Sequence, residues 1–345
     1  MPRGRAIAVA CHSDADGLCS GLLVARGLER LGCSNVHVFP SGKGENVHGE
    51  AMRQRIRAIR PAALIVTDMG SRGEEILPGR PRVPTLLIDH HQPRGLPPNA
   101  TIVSAHACEP VASSSLLVFE LINAIVDLDD QDWLALIGTV GDLGAWLPFG
   151  VEWNRRLKSH GQTAILETVA LLNAARRSSR HEVATALRVL RQANSPKDIA
   201  SGNIEGCEIL HRCRQEVQAE LTQALRVAPK FAGQCALLSF SSAAQIHPLI
   251  ATRWARTLKK YIVMAANSGY LPRRVNFSVR TATDTNLVEW LAALVAHSGA
   301  GEFGHGHPQA SGGSLPPENF ERLLQAIGFR AHSRKPAESG RLFAS

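Results

Sequence analysis

The stretch PTLLIDHH, residues 84–91, decides how this sequence is organised, because an apolar run ends in three chemically reactive side chains. The run is typical of a buried strand or helix, and Asp89, His90 and His91 follow at its polar end. Three other apolar runs end in acidic residues in the same way. They are CHSDADG with His12, Asp14 and Asp16, LIVTDMG with Asp68, and GTVGDLG with Asp142. Four such segments indicate one common site.

The residue types at this site favour a divalent metal. Carboxylates that crowd together raise one another's pKa, and a bound cation would relieve the repulsion. Carboxylates with one or two imidazoles suit Mn²⁺ or Mg²⁺ better than zinc, and we favour manganese. In an extended segment His12, Asp14 and Asp16 would point to one face. Two ions about 3.5–4 Å apart would activate water and neutralise an attacked phosphorus, which predicts hydrolysis of phosphate esters.

The motifs HSDADG, TDMG, DHH and GD, in this order, resemble those of the DHH phosphoesterase superfamily, and GEFGHGHPQASGG at 301–313 resembles the glycine-histidine loop of the associated DHHA1 domain. Together they span residues 5 to about 330. The resemblance implies that Asp68 bridges two metals, that Asp89 orients His90, and that His91 lies toward the substrate phosphate. The metal ligands it implies are His12, Asp14, Asp16, Asp68, His90 and Asp142.

The resemblance also implies a phosphate-binding loop in the second domain. Gly304 and Gly306 would allow close backbone approach to a phosphate, and His307 matches the histidine of the family motif. His305 stands where the family has glycine, so its role is open. Arg280 matches a phosphate-binding arginine, with a structural salt bridge as the alternative.

Ordinary structural roles compete with some of these assignments. An Asp after a strand is commonly a turn former or a helix cap, which applies to Asp68 and Asp142 taken singly. The acidic run at 127–132 precedes a helical pattern and is better explained as first-turn charges favoured by the helix dipole. We therefore leave that run out of the site.

Alternating strand and helix patterns predict an α/β fold with a doubly wound parallel sheet and its site at the carboxyl ends of the strands. A length of 345 residues predicts more than one domain. We expect a metal-binding DHH domain at 1–150, a helical connector at 151–228, a smaller α/β DHHA1 domain at 229–330 and a flexible tail at 331–345.

Composition points to the partner and the compartment. The net charge of +8 beside an acidic site favours a polyanionic partner, with a generally basic surface as the alternative. Seven cysteines without a CxxC pair predict reduced thiols and a cytoplasmic location. The N-terminus lacks the apolar core of a signal peptide, and no long apolar run predicts a membrane span.

The leading hypothesis is a Mn²⁺-dependent phosphodiesterase that removes nucleotides from an end of single-stranded DNA or RNA, as RecJ-type exonucleases do. One alternative acts on short oligonucleotides or small nucleotides, as nano-RNases, adenosine-bisphosphate phosphatases and cyclic-dinucleotide phosphodiesterases do. Aromatic content of 5% leaves few stacking platforms for a long strand. The other alternative is a non-catalytic nucleic-acid-binding scaffold. Polarity of attack, DNA against RNA, and a homodimer are left open.

Overall fold

The apolar runs of the N-terminal region form parallel strands in the structure, which is a computed structural model. It describes residues 4–79, 82–298 and 305–330; for 295–298 and 305–307 it describes the backbone alone. All five strands pair in parallel, in the order β2-β1-β3-β4-β5. The strands are β1 Ile7–Cys11, β2 Val36–Pro40, β3 Ala63–Thr67, β4 Thr85–Asp89 and β5 Ala100–Ser104.

Both faces of this sheet are covered, as a parallel sheet requires. Along β1, Ile7, Val9 and Cys11 join one apolar cluster, whereas Ala8 and Ala10 join another on the opposite face. Since side chains alternate along a strand, an almost continuous apolar run supplies both layers. The predicted α/β fold with a doubly wound parallel sheet is confirmed.

Helices cover the sheet and then continue well beyond the last strand. A short 3₁₀ turn, Asp129–Gln131, precedes the fourth helix. The helices are α1 Ala15–Arg30, α2 Glu50–Ala58, α3 Ser114–Asn123, α4 Asp132–Leu143, α5 Gly150–His160, α6 Gln162–Arg177, α7 Val183–Gln192, α8 Pro196–Ala200 and α9 Cys207–Ala224.

The chain divides into two compact units, with the boundary between Val217 and Gln218, inside α9. Leu157 of α5, Leu171 of α6 and Leu190 of α7 are buried in the same cluster as β1 and α1. Most of the segment that we expected to connect two domains, residues 151–228, therefore packs as part of the first unit.

The second unit contains a six-stranded sheet in the order β10-β11-β9-β8-β7-β6, in which β7 and β8 are parallel and the other pairs are antiparallel. Its own apolar cluster includes Ile262, Phe277 and Leu323. The elements are β6 Lys230–Ala232, β7 Cys235–Phe240, α10 His247–Thr257, β8 Ile262–Asn267, β9 Val275–Thr281, α11 Leu287–Ser298, β10 His305–His307, β11 Ala310–Leu315 and α12 Pro317–Ile327.

The cysteines and the helix lengths bear on the predicted compartment and on the predicted absence of a membrane span. All seven cysteines are free, and Cys108 alone among them is exposed. Within the described residues, each helix is too short or too polar to cross a membrane.

Candidate metal centre

The strand order places the predicted ligands at one crevice. The chain moves from β1 to one side and from β3 to the other, so the carboxyl ends of these neighbours form the point where such sheets bind ligands. His12 follows β1 and Asp68 follows β3, and the His12 amide continues the ladder by donating to the Thr67 carbonyl at 3.3 Å. His90 follows β4, the next strand along.

Three of the predicted ligands form a first group at this crevice. The Nδ1 atom of His12 lies 2.7 Å from an Asp14 carboxylate oxygen and 3.6 Å from one of Asp68. The other oxygen of Asp14 caps α1 by accepting from the Gly17 amide at 3.1 Å. Strand β1 ends at Cys11 and α1 begins at Ala15. Asp16 is therefore brought in by the first helical turn, not by the extended segment that we expected.

Two further groups complete the cluster. Asp16, His90 and Asp142 form one, and Asp68, His90 and His91 form the other; in each group the ligand atoms lie within 4.8 Å of one another. The Nε2 atom of His90 lies 3.3 Å from Asp68 and 3.5 Å from Asp142. Asp68 belongs to two groups, and so does His90.

Asp68 has an unusual backbone for a central residue of this kind. Its φ is +60°, in the left-handed region that Asp tolerates better than most residues. This turn follows β3 directly and leaves the side chain 3% exposed. The Ser114 hydroxyl donates to its carboxylate at 3.1 Å. This backbone conformation and the hydrogen bond from Ser114 fix the Asp68 carboxylate between the two ligand groups that share it. Uncommon backbone conformations of this kind occur often at functional sites.

Residues 6–139 match the DHH family, N-terminal domain. This part of the chain, about two fifths of its length, is therefore similar to the N-terminal domain of the DHH family. Members of the DHH superfamily are metal-dependent phosphoesterases, and the motifs HSDADG, TDMG, DHH and GD supply the residues of the crevice just described. Among curated proteins, none matches the sequence significantly.

The fold is similar to solved structures of low sequence identity. A manganese-bound exonuclease RecJ is 21% identical with a TM-score of 0.66, covering 95% of this chain and 91% of that one. RecJ from Thermus thermophilus, with Mn²⁺, is 20% identical with a TM-score of 0.68, covering 95% and 53%. The DHH domain of a member of a ribosomal protein family is 14% identical with a TM-score of 0.68, covering 94% and 86%. The chain thus spans about half the length of the Thermus protein.

The N-terminus of α3 holds Asp16 of the DHH domain. The Ser114 and Ser115 amides each donate to one Asp16 carboxylate oxygen at 2.8 Å. A helix N-terminus favours an anion in this position. Our sequence reasoning missed both serines, although a run of serines before LLVFEL has the form of a helix start.

Close packing from α4 fixes Asp16 from the other side. A Cβ atom added at Gly138 would lie 2.5 Å from an Asp16 carboxylate oxygen and closer still to the Ser115 hydroxyl. Only glycine therefore fits there unless Asp16 or Ser115 moves. The same helix ends near Asp142, so α4 both packs against the cluster and supplies one of its carboxylates.

The structure corrects the role expected for Asp89 in one respect, because this carboxylate contacts His91 and not His90. One oxygen accepts from the His91 amide at 2.8 Å and lies 2.7 Å from Nδ1 of that ring. The other accepts from the Met69 and Gly70 amides at 2.8 and 2.7 Å. Alternation along an extended chain places residues two apart on one side, so Asp89 meets His91 while His90 turns to Asp68.

The charges of the cluster shift its pKa values strongly. Burial, and then the negative charge of Asp68, raise the pKa of Asp16 to about 7. Burial and the neighbouring carboxylates also raise the pKa of Asp142. Burial alone would lower the pKa of His90, but the hydrogen bond and charge of Asp68 raise it to about 9. Without cations, the site therefore retains protons that bound cations would displace.

Helix α6 brings a cation to the same cluster. Arg176 lies 3.4 Å from Nε2 of His12 and 3.9 Å from Asp14. Burial opposes protonation of His12, but the charge of Asp14 outweighs this and the repulsion from Arg176, and its pKa rises to about 9. The contact with Nε2 is favourable only when His12 is neutral, because a protonated ring has no acceptor there.

Asn173, one turn before Arg176, accepts from the Ala15 amide at 3.2 Å. Sequence reasoning missed both residues, because LLNAARR has an ordinary amphipathic pattern. Their proximity to the site comes from the packing of α6 on α1 and α4.

The acidic run that we left out of the site has structural partners. Asp130 pairs with Arg30 at 2.6 Å. Asp132 accepts from Arg156 at 3.1 Å and contacts His160 at 2.7 Å. These ion pairs account for the run without a ligand.

The remaining predicted residues belong to the second unit. Arg280 lies on β9, and its guanidinium donates to the Val279 and Ser311 carbonyl oxygens at 2.9 and 3.4 Å, so within the described residues its hydrogen bonds go to backbone atoms. Burial lowers its pKa. Ala310 pairs with Arg280 on one side and with His307 on the other. The backbones of His305, Gly306 and His307 form β10, whereas their side chains and all of Gly304 lie outside the described residues.

Proposed function

We propose that this chain is a phosphodiesterase that binds two divalent cations at the crevice between β1 and β3. The observation that carries the proposal is that Asp68 lies in two ligand groups at once, one with His12 and Asp14 and one with His90 and His91. A carboxylate shared in this way is what a pair of adjacent cations requires. Asp16, His90 and Asp142 form the third group, so His90 would also connect the two sides.

The donor set fits hard or borderline divalent cations. It consists of carboxylates and imidazoles, and no thiolate belongs to the three groups found among the described residues. Once bound, two such cations lower the pKa of water and neutralise charge on the phosphorus under attack. We propose Mn²⁺, with Mg²⁺ as the alternative, and the manganese-bound RecJ of the same fold supports this choice.

The residues of the chain prepare the site for this chemistry. The α3 amides and the Ser114 hydroxyl hold Asp16 and Asp68 in place, so little reorganisation is needed when cations bind. Asp89 orients His91, whose side chain is 44% exposed and can reach a substrate phosphate. Arg176 carries a fixed positive charge to the edge of the cluster, where it can offset charge on a phosphate oxygen.

The substrate that we propose is an end of single-stranded DNA or RNA, with short oligonucleotides and small nucleotides as the second candidate. The chain has a net charge of +8 although the proposed metal centre is acidic, so positive side chains must lie elsewhere on the chain. Such side chains would bind the phosphates of a polyanion. Low aromatic content favours the second candidate. A scaffold without activity is disfavoured, because every predicted ligand in the first unit lies in one of the three groups.

We also propose that the glycine-histidine loop, with Gly304, His305, Gly306 and His307, binds a substrate phosphate together with Arg280, as in a DHHA1 domain. We expect the protein in a reducing compartment such as the cytoplasm. Ala310 of β11 pairs with Arg280 of β9 and with His307 of β10. Since neighbouring strands lie about 4.8 Å apart, the backbones of Arg280 and His307 are about 10 Å apart across the sheet. The free cysteines suit such a compartment.

The deciding experiment offers purified protein and Mn²⁺ end-labelled single strands of graded length, a duplex, dinucleotides, cyclic dinucleotides and adenosine bisphosphate. A ladder from long strands supports exonuclease action, and cleavage confined to two-to-five-mers supports the second candidate. Asp68→Asn should abolish either activity while preserving shape. Absence of hydrolysis with every substrate and with both Mn²⁺ and Mg²⁺ would refute the proposal.

A further inference from the structure

Three large apolar side chains are exposed in the segment that follows Asp142 of the metal centre. Among the described residues nine such side chains are exposed, and three of them lie within 143–151: Leu143 at 43%, Trp146 at 78% and Val151 at 76%. Scattered exposed apolar residues are common on proteins, but three of them within nine consecutive residues point to an interaction site. We call the segment from Gly144 to Phe149 the α4–α5 loop.

The α4–α5 loop is fixed by burial and hydrogen bonds next to the exposed Trp146. Leu147 is buried at 2% exposure, and Phe149 packs against the same cluster. The Asn154 side chain donates to the Leu147 and Gly150 carbonyl oxygens at 2.8 and 2.9 Å. The chain therefore buries the residue next to Trp146 and leaves the indole in solvent, at the expense of the burial that a tryptophan could gain.

The loop starts at the metal centre. Asp142 contacts His90 at 3.5 Å, and Gly144, with φ +84°, ends α4 two residues later. Trp146 is four residues from Asp142, so their Cα atoms are at most about 14 Å apart even in a fully extended chain. The ring thus lies within reach of nucleotides that flank a phosphate at the cluster.

We propose that Trp146 stacks against a nucleobase of the strand that is cleaved at the metal centre, an inference that rests on the proposed function. Every nucleobase has a π-face, so an exposed indole binds strands without regard to sequence. Residues 143–151 carry no acidic side chain that would repel the phosphates of that strand, and the next acidic residue is Glu152. Three side chains expose roughly a few hundred Å², well below the ~800 Å² per partner of a stable protein interface.

The test compares oligonucleotides that differ only by one missing base. Single strands carry an abasic nucleotide at the first, second or third position from the attacked end, and binding is measured in Ca²⁺ and cleavage in Mn²⁺. Removal of one particular base should weaken binding to the wild-type protein by about 5- to 150-fold. Trp146→Ala should lose the same factor with the intact strand and become indifferent to the abasic site. Trp146→Phe should retain most of the effect.

Ile125→Ala is the matched control, because Ile125 is 71% exposed and follows α3 on another loop. It should bind all strands as the wild type does. If Trp146→Ala binds and cleaves intact strands like the wild type, the stacking proposal is overturned while the hydrolase proposal stands. If no substrate is cleaved, the hydrolase proposal fails and binding alone decides: an equal abasic effect in wild type and Trp146→Ala overturns stacking. Concentration-dependent dimerisation that Trp146→Ala removes, without any abasic effect, also overturns it.

Discussion

Replacement of Gly138 by alanine tests whether α3 and α4 together fix Asp16. The new methyl group would lie 2.5 Å from Asp16, so either the carboxylate leaves the α3 amides or the two helices separate. Alanine gains about 1 kcal/mol of helix propensity over glycine. Overpacking costs about 1–3 kcal/mol, and disturbed hydrogen bonds to a charged group cost up to about 3 more. These terms combine to a net loss of up to about 5 kcal/mol; we expect a value near the middle, about 2–3 kcal/mol, and a Tm lower by at least about 4 °C.

The same variant should bind Mn²⁺ about 10- to 100-fold more weakly, as happens when groups that position ligands are disturbed. Calorimetric titration with Mn²⁺ and thermal unfolding without it provide the two readouts. Gly141→Ala on the same helix is the control. This substitution gains the same helix propensity, but the added Cβ would first meet the Ala15 side chain, at 3.1 Å, and not a ligand carboxylate. It should stay within about 1 kcal/mol of wild type. Gly138→Ala with wild-type stability and wild-type Mn²⁺ affinity would refute the packing argument.

Further outcomes are expected at the same centre. Asp68→Ala should reduce turnover by at least about 10³-fold and remove thermal stabilisation by Mn²⁺; retained turnover would show that Asp68 does not connect the cations. The pKa values of His12 and His90, raised to about 9, give stability that is complete below about 6.5 and lost as pH rises through 9. The raised pKa of Asp16, about 7, acts in the same direction at lower pH, because its contribution is lost between about pH 4 and 7. Together with the histidines this predicts that metal-free protein loses Tm as pH rises to about 9 and that Mn²⁺ restores it; an opposite slope would contradict this. Arg176→Ala should lower kcat by about 10²-fold with little change in Mn²⁺ affinity, and Arg176→Lys should recover part of it, as pre-steady-state assays can show.

The sheet of the first unit was predictable because β1, β3 and β4 are apolar runs that end in polar residues, and VHVFP of β2 has a strand-like composition. The remaining strand, β5, has the short pattern ATIVS, and five residues without a distinctive end carry little signal in the sequence. The helices from α5 onward were predicted as helices, but as a connector. Their burial against β1 and α1 depends on contacts between residues more than a hundred positions apart, which periodicity does not specify.

The sequence by itself determined that carboxylates and imidazoles follow apolar runs, because covalent order and the periodicity of side chains are local properties. Only the tertiary structure decided which of them meet. The strand order brings His12 beside Asp68, and the packing of α3, α4 and α6 adds Ser114, Asn173 and Arg176. The exchange of partners, with Asp89 on His91 and His90 on Asp68, has the same origin. Such contacts follow from the three-dimensional path of the chain, since burial and hydrogen bonding act between atoms that the sequence keeps far apart.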